Sequence, residues 1–224
     1  MLKKLMKKFR LIECTVVEPS GERISSYKKL VEEEKDALHC VTFDWRQETI
    51  QEFCNVKADG LKKFNFVSAI HACYFIAKQD LNFHLNTIFG WTKGTILIMI
   101  LGEDGFLSRL QKKFHGPAYA PKAFTYAKSI TDSFRSLDIS FETSALPCEC
   151  DVTRCFESDS RDGKLLLDFL LQRVGCREDG PPELLKRVKE FVDSENISYT
   201  RSGRIYVEIP TQVIIGLGSK DSKT

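Results

Sequence analysis

The sequence predicts an α+β fold: a single compact domain in which a few helices pack on a mainly antiparallel sheet, behind a flexible basic N-terminal arm. Apolar and polar residues alternate over 39–45 and again over 136–142, which is the period of half-buried strands. Residues 181–209 have the pattern of a helix followed by a hairpin. The first 34 residues show no steady hydrophobic period, and this indicates an arm.

The predicted domain organisation is an arm over 1–36, a globular domain over 37–218 and a disordered tail over 219–224. The chain has 224 residues, of which 42% are hydrophobic, so it can bury one sizeable core. The turn signal Pro19-Ser20-Gly21 lies inside the arm. A net charge of only +2 excludes a polycation of the kind that coats nucleic acid.

Hydrophobic spacing predicts the elements of the first half. Residues 39–45 alternate as a strand, and 51–56 form a second, weaker strand. Residues 64–78 carry apolar side chains at helical spacing and are interpreted as a core helix, with His71 as a structural residue beside its apolar face. The β-branched run at 95–101 favours a buried strand, because a membrane-crossing helix needs about 20 residues.

The second half is predicted to contain further elements whose ends coincide with proline and glycine. In order, these are a helix over 106–114, an exposed loop over 115–121, a strand over 137–146 with its hairpin partner over 151–156, helices over 164–174 and 181–192, and a hairpin over 197–209.

The N-terminal segment is basic and amphipathic, and it predicts contact with an anionic membrane lipid. In a helix its apolar residues would form one stripe, while most of its cations would ring the other side. The alternative is a solvated basic tail, and the acidic residues 32–36 offer partners for its cations. The predicted membrane-binding residues are Lys3, Lys4, Lys7, Lys8, Arg10, Leu2, Leu5, Met6 and Phe9.

The sequence carries no catalytic signature that can be read from spacing alone. The turn Gly102-Glu103-Asp104-Gly105 lacks the Gly-Lys-Ser/Thr of a phosphate loop. Cys148, Cys150, Cys155 and Cys176 are not spaced as paired zinc ligands, so we interpret them as small buried hydrophobes. The eight cysteines are expected to be free thiols on the cytosolic side. We therefore predict no cofactor, no metal and no enzymatic activity; a cysteine- or zinc-dependent enzyme is the least favoured class.

Several short segments resemble the matrix proteins of rhabdoviruses. Phe53-Cys54-Asn55, the helix pattern within 66–78, and residues 107–114 and 126–131 resemble the lyssavirus kind. Residues 185–191 and 202–207 are similar to the vesiculovirus kind. The likeness is spread over about residues 40 to 210.

This resemblance implies a non-enzymatic viral structural protein that lies under the envelope, self-associates, condenses the ribonucleoprotein, promotes budding and suppresses host gene expression. The implied partners are anionic membrane lipid, the viral nucleocapsid, the viral glycoprotein, host budding machinery and a second copy of the chain. The implied locations are the virion, the host cytoplasm, the inner face of the membrane and the nucleus. The alternative is a soluble, non-enzymatic adaptor or regulatory domain that binds protein partners.

Two further sets of residues follow from the resemblance. The predicted self-association loop contains His115, Gly116, Pro117, Tyr119 and Pro121. The Pro-Pro-x-Tyr budding motif of the family is missing, and Tyr27 with Leu30 is the substitute late-domain signal.

Overall fold

The computed structural model describes residues 1–56, 64–119, 125–194 and 198–218, without the side chains of residues 56, 75 and 115–119. The chain divides into two compact units, Met1–Lys62 (unit 1) and Lys63–Thr224 (unit 2). No helix among the described residues is long and apolar enough to cross a membrane.

Unit 1 is built on a pair of parallel strands. Its elements are α1 (Leu2–Leu5), β1 (Ile12–Val17), α2 (Gly21–Glu33), β2 (Val41–Arg46) and α3 (Ile50–Val56), with a 3-10 turn at Lys35–Leu38. The pairing runs in register from Ile12 opposite Val41 to Val17 opposite Arg46. Parallel strands need a crossover connection, and α2 lies in that connection.

Helix α2 begins at a side-chain cap and packs on the aromatic residues of β2. The Ser20 hydroxyl accepts the N–H of Arg23 at 3.3 Å, which satisfies one of the free amides of the first turn. Tyr27 meets the ring of Trp45 edge-on at 5.2 Å between centroids, and Phe43 stacks on Trp45 at the same distance. These contacts hold α2 against its strand.

Unit 2 contains two sheets and five helices within its described residues. Its elements are β3 (Phe64–Ile70), α4 (Lys78–Gly90), β4 (Thr92–Leu101), α5 (Phe106–Tyr119), α6 (Ala127–Ser136), β5 (Phe141–Leu146), β6 (Glu149–Asp151), α7 (Arg161–Leu171), α8 (Leu184–Ser194), β7 (Ser198–Arg201), β8 (Arg204–Glu208) and β9 (Thr211–Leu217). Short 3-10 turns lie at Cys73–Phe75 and Thr153–Phe156.

The larger sheet has the strand order β3-β4-β9-β5. Strands β3 and β4 are parallel, whereas β9 runs antiparallel to both β4 and β5. The smaller sheet, β6-β8-β7, is antiparallel throughout. The prediction of a mainly antiparallel sheet is therefore wrong, because both chain units contain a parallel pair.

Two groups of buried side chains form the core of unit 2. Ile96, Ile98 and Ile100 of β4 are completely buried. A second cluster joins α5, α7, α8 and β8, and includes Phe106, Leu167 and other fully enclosed side chains.

Several local predictions are confirmed. The strands predicted at 39–45 and 95–101 correspond to β2 and β4. The helices predicted at 106–114, 164–174 and 181–192 correspond to α5, α7 and α8. The hairpin predicted at 197–209 corresponds to β7 and β8, with its turn at Ser202 and Gly203.

Three predictions in the first half are wrong. The stretch interpreted as a mobile arm holds β1 and α2, since β1 gains a partner that lies beyond the arm. Residues 51–56 lie in α3 and not in a strand. Residues 64–70 of the predicted core helix form β3, because their apolar residues find a parallel partner in β4. The domain boundaries at 36 and 218 stay predictions.

Two predictions in the second half are wrong in part or entirely. The strand expected over 137–146 is confirmed from Phe141 to Leu146, but residues 137–140 are not part of it, because α6 continues to Ser136. Its expected hairpin partner, 151–156, is mostly the 3-10 turn, and the neighbouring β6 pairs with β8. Polar–apolar alternation alone did not locate the end of the preceding helix.

We predict that Gly163→Ala destabilises the protein strongly. A Cβ atom at this position in α7 would overlap the carbonyl oxygen of Arg154, so the helix or the 3-10 turn must shift. We expect a loss of about 3 kcal/mol or more in the free energy of unfolding, measured by urea denaturation. Gly90→Ala is the matched control, since a Cβ there meets no atom within 4 Å. Equal stability of the two variants would contradict the tight packing of α7.

Candidate functional site

The carboxyl ends of the parallel strands are where an α/β structure binds ligands. In unit 1 the chain leaves β1 at Glu18, and in unit 2 it leaves β3 at His71. Both positions carry polar side chains that can exchange hydrogen bonds with a ligand.

Glu18 is held by the turn that leads into α2. Its carboxylate accepts the backbone N–H of Ser20 at 2.8 Å and lies 4.0 Å from the guanidinium of Arg23. The side chain is 27% exposed. An ionised carboxylate has about four acceptor positions, so these contacts leave it free to accept further hydrogen bonds from a ligand.

Gly21 allows a second polar side chain to approach this turn. A Cβ atom on Gly21 would lie 3.0 Å from the amide nitrogen of Gln47, which follows β2. The glycine therefore lets Gln47 lie against the start of α2. The carboxyl end of the β1–β2 pair brings together a carboxylate, a hydroxyl and an amide.

His71 adopts an unusual backbone conformation at the end of β3. Its φ is 51°, which lies in the left-handed region that non-glycine residues rarely adopt. Its backbone N–H donates to the Met99 carbonyl at 2.8 Å, so the parallel ladder continues through this residue. The side chain is exposed. Strained residues of this kind are concentrated at functional sites.

The hydroxyl of Tyr74 fixes the ring of His71. The hydroxyl oxygen lies 2.7 Å from His71 Nδ1, and the two rings stack with centroids 6.0 Å apart. The same oxygen accepts the N–H of Leu101 at 3.1 Å. Burial raises the pKa of Tyr74 to about 12, so the phenol stays neutral at physiological pH. Nδ1 of His71 is thus engaged with the Tyr74 hydroxyl, and Nε2 is the ring nitrogen that can contact a ligand.

The structure gives the predicted membrane-binding residues different environments. Leu2, Leu5 and Met6 are half-buried, whereas Phe9 is 55% exposed. They do not form the single exposed stripe that the sequence predicts. Lys3 donates to the Glu34 carboxylate at 2.6 Å, while Lys4, Lys7, Lys8 and Arg10 are exposed.

The structure places residues of the other two predicted sites in helices. Tyr27 and Leu30 lie in α2 and not in a flexible arm, and the Tyr27 ring packs on Trp45. His115, Gly116, Pro117 and Tyr119 lie in helix α5, so the predicted loop is wrong for these residues. Pro121 lies outside the described residues.

Two of the cysteines considered as zinc ligands are deeply buried. Cys155 and Cys176 belong to the apolar cluster of unit 2, while Cys148 and Cys150 are half-buried. All eight cysteines are free thiols. Within the described ranges, no group of three or more metal-ligating side chains comes together.

The sequence contains weak signals for Glu18 and His71, which the spacing patterns alone did not identify as functional residues. Glu18 follows the β-branched residues Thr15, Val16 and Val17 and precedes a proline, which is typical of a strand end. His71 was interpreted as a structural residue on a helix. The structure corrects this, because His71 is exposed at a strand end.

The chain is similar in sequence to small-molecule N-methyltransferases. It is 29% identical over 210 residues to histamine N-methyltransferase A of Xenopus laevis, covering 91% of this chain and 71% of that protein. It is 29% identical over 204 residues to carnosine N-methyltransferase 2 of Gallus gallus, covering 87% of this chain and 62% of that protein. No family model matches the chain.

Among solved structures, the chain resembles a protein of Galdieria sulphuraria named as a sarcosine dimethylglycine methyltransferase. The TM-score is 0.50 at 9% identity, over 97% of this chain and 73% of that one. A likeness at this identity concerns the fold alone. It supports a Rossmann-like methyltransferase fold with a mixed sheet, which corrects the predicted α+β class.

These findings overturn the resemblance to rhabdovirus matrix proteins. The relatives are N-methyltransferases, so the predicted viral structural role, the non-enzymatic adaptor and the absence of enzymatic activity are wrong. The segments that suggested the resemblance lie mostly in α5, α6, α8 and β8. Short amphipathic patterns of this kind recur in unrelated folds. The partners and locations implied by the resemblance are not tested by these findings and stay predictions.

We predict that three thiols resist alkylation in the folded protein. Burial raises the pKa of Cys73, Cys155 and Cys176 to about 12, so almost no reactive thiolate forms near pH 8. Peptide mass spectrometry after iodoacetamide treatment is expected to find these three unlabelled. The same treatment in denaturant is the control and labels all three. Rapid labelling of Cys155 without denaturant would contradict its burial in the apolar cluster of unit 2.

Proposed function

We propose that this chain is a SAM-dependent methyltransferase that methylates a ring nitrogen of a small molecule containing imidazole. The observation that carries the proposal is the likeness to histamine N-methyltransferases over 91% of the chain. Histamine and carnosine, the substrates in the names of the relatives, both contain an imidazole ring. The fold and the polar strand ends support the same conclusion.

The residues after β1 fit the ribose of SAM. A ribose diol presents two hydroxyl donors, and a carboxylate at the end of a parallel strand accepts such bonds in dinucleotide-binding folds. Glu18 has this position, and the Ser20 N–H fixes its orientation. When bound, SAM supplies an electrophilic methyl group on a sulfonium centre. The role of Glu18 is to hold and orient the nucleoside part.

His71 is the residue of unit 2 that we expect to contact the methyl acceptor. Tyr74 occupies Nδ1, which leaves Nε2 as the exposed nitrogen of the ring. When the Nδ1 proton faces the Tyr74 oxygen, Nε2 carries a lone pair and can accept an N–H of the substrate. Methylation of a neutral imidazole produces a cation, and a neutral histidine can take its released proton.

The first test measures methyl transfer and SAM binding. The purified chain is incubated with SAM and either histamine or carnosine, and methylated product is detected by mass spectrometry. We expect product with at least one imidazole compound and none with a matched amine that lacks the ring. SAM binding with no product from any imidazole compound would overturn the substrate class. Absence of both SAM binding and methylated product would overturn the proposed function.

Glu18→Gln is the variant that tests the cofactor site. It removes the charge that strengthens two hydrogen bonds to the ribose, so SAM binding measured by calorimetry is expected to weaken about tenfold or more. Glu22→Gln, an exposed change in the first turn of the same helix, is the control and leaves affinity nearly unchanged. An equal loss in both variants would contradict the ribose role.

His71→Ala is expected to lower kcat/KM by about tenfold or more, because it removes both the contact and the proton acceptor. His71→Gln keeps a hydrogen-bonding group but cannot titrate, so we expect its KM to stay close to the parent value while kcat falls. His39→Ala, an exposed histidine that bonds its own turn, is the control. Unchanged kinetics in a correctly folded His71→Ala variant would exclude this role.

A further inference from the structure

We propose that the basic segment, residues 1–11, binds the surface of an anionic lipid bilayer. This contact is independent of methyl transfer and belongs to unit 1. It differs from a membrane-spanning or deeply inserted helix, because α1 has only four residues. The proposal depends on which cations are unpaired and which apolar side chains are exposed.

Four cations of the basic segment have no acidic partner among the described residues. They are Lys4, Lys7, Lys8 and Arg10, and all are exposed. Lys3 is the exception, since it pairs with Glu34. Nearby, Glu32 pairs with Lys35 at 2.8 Å, so it is also engaged. The segment therefore presents four exposed cations that form no ion pair with the described residues of unit 1.

The apolar residues of the segment divide into two groups. Leu2, Leu5 and Met6 are half-buried, and α1 packs against the 3-10 turn Lys35–Leu38. These three residues serve the fold and are not free to insert into lipid. Phe9 and Leu11 are 55% and 62% exposed, and they alternate with Lys8 and Arg10.

This alternation favours a lipid surface over a nucleic acid. Phosphate groups attract the four cations in either case. An exposed aliphatic side chain such as Leu11 gains little from nucleotides, whereas it gains from the apolar boundary below lipid headgroups. We infer shallow binding in which the cations contact anionic headgroups and Phe9 and Leu11 reach the boundary.

Vesicle co-sedimentation of the full chain tests this inference. Vesicles of neutral phosphatidylcholine are compared with vesicles that contain about 30% phosphatidylserine, at low and high salt. We expect binding only to the anionic vesicles, and we expect it to weaken as salt rises. Equal binding to neutral vesicles, or no binding at low salt, would overturn the proposal.

A charge variant and its matched control identify the binding surface. Changing Lys4, Lys7, Lys8 and Arg10 to serine is expected to weaken binding more than a hundredfold, since each cation near the surface contributes about fivefold. The control changes four exposed cations of unit 2, namely Lys93, Lys112, Arg161 and Lys186, to serine. It carries the same net charge and is expected to bind like the parent. An equal loss of vesicle binding in the two variants would show that net charge alone controls binding, and it would overturn the assignment of the surface to the basic segment.

Two further measurements separate the remaining interpretations. Phe9→Ser with Leu11→Ser is expected to reduce binding by a factor that changes little with salt, because these side chains contribute apolar burial. Unchanged binding in this variant would contradict the proposed contact of Phe9 and Leu11 with the apolar boundary below the headgroups. A single-stranded RNA that binds the parent more tightly than anionic vesicles would overturn the proposal in favour of nucleic acid. Circular dichroism and SAM binding verify that every variant is folded.

Discussion

Burial of strand β4 is the constraint on which unit 2 depends. This strand pairs with β3 on one side and with β9 on the other, and Ile96, Ile98 and Ile100 are completely buried. Burying each isoleucine contributes roughly 2 kcal/mol. A slip of one residue would turn all three to the opposite face, so their burial fixes the register of both neighbouring strands.

The register of β3 on β4 in turn creates the candidate acceptor site. It places the His71 N–H against the Met99 carbonyl and brings Tyr74 beside the end of β4, where its hydroxyl accepts the Leu101 N–H. The left-handed backbone of His71 costs about 1 kcal/mol or more, and these hydrogen bonds offset the cost. The strained histidine is thus held against β4 twice, directly through Met99 and indirectly through the hydroxyl of Tyr74.

Unit 1 shows the same dependence of a site on its supporting strand pair. The aromatic contacts of Tyr27 with Trp45 and Phe43 hold α2 on β2, and the cap at Ser20 fixes where α2 begins. Glu18 is oriented by this turn. The half-buried residues of α1 also contribute to unit 1, which leaves mainly charge and two apolar side chains on the surface of the basic segment.

Elements with local signals were predicted correctly from the sequence. Three kinds of signal were sufficient to predict secondary structure: the β-branched run of β4, the apolar spacing in α7 and α8, and the turn at Ser202 and Gly203. They are sufficient because hydrophobic period and turn chemistry act over a few residues. The sequence also located the basic segment. The strand at residues 64–70 became evident only from its pairing, because its apolar spacing suits both a helix and a strand until β4 provides a parallel partner. The same holds for β1, whose partner lies beyond α2. The sequence did not identify Glu18 or His71 as a candidate functional residue, because each owes its position to the direction of its own strand, and strand direction is set by pairing between distant segments.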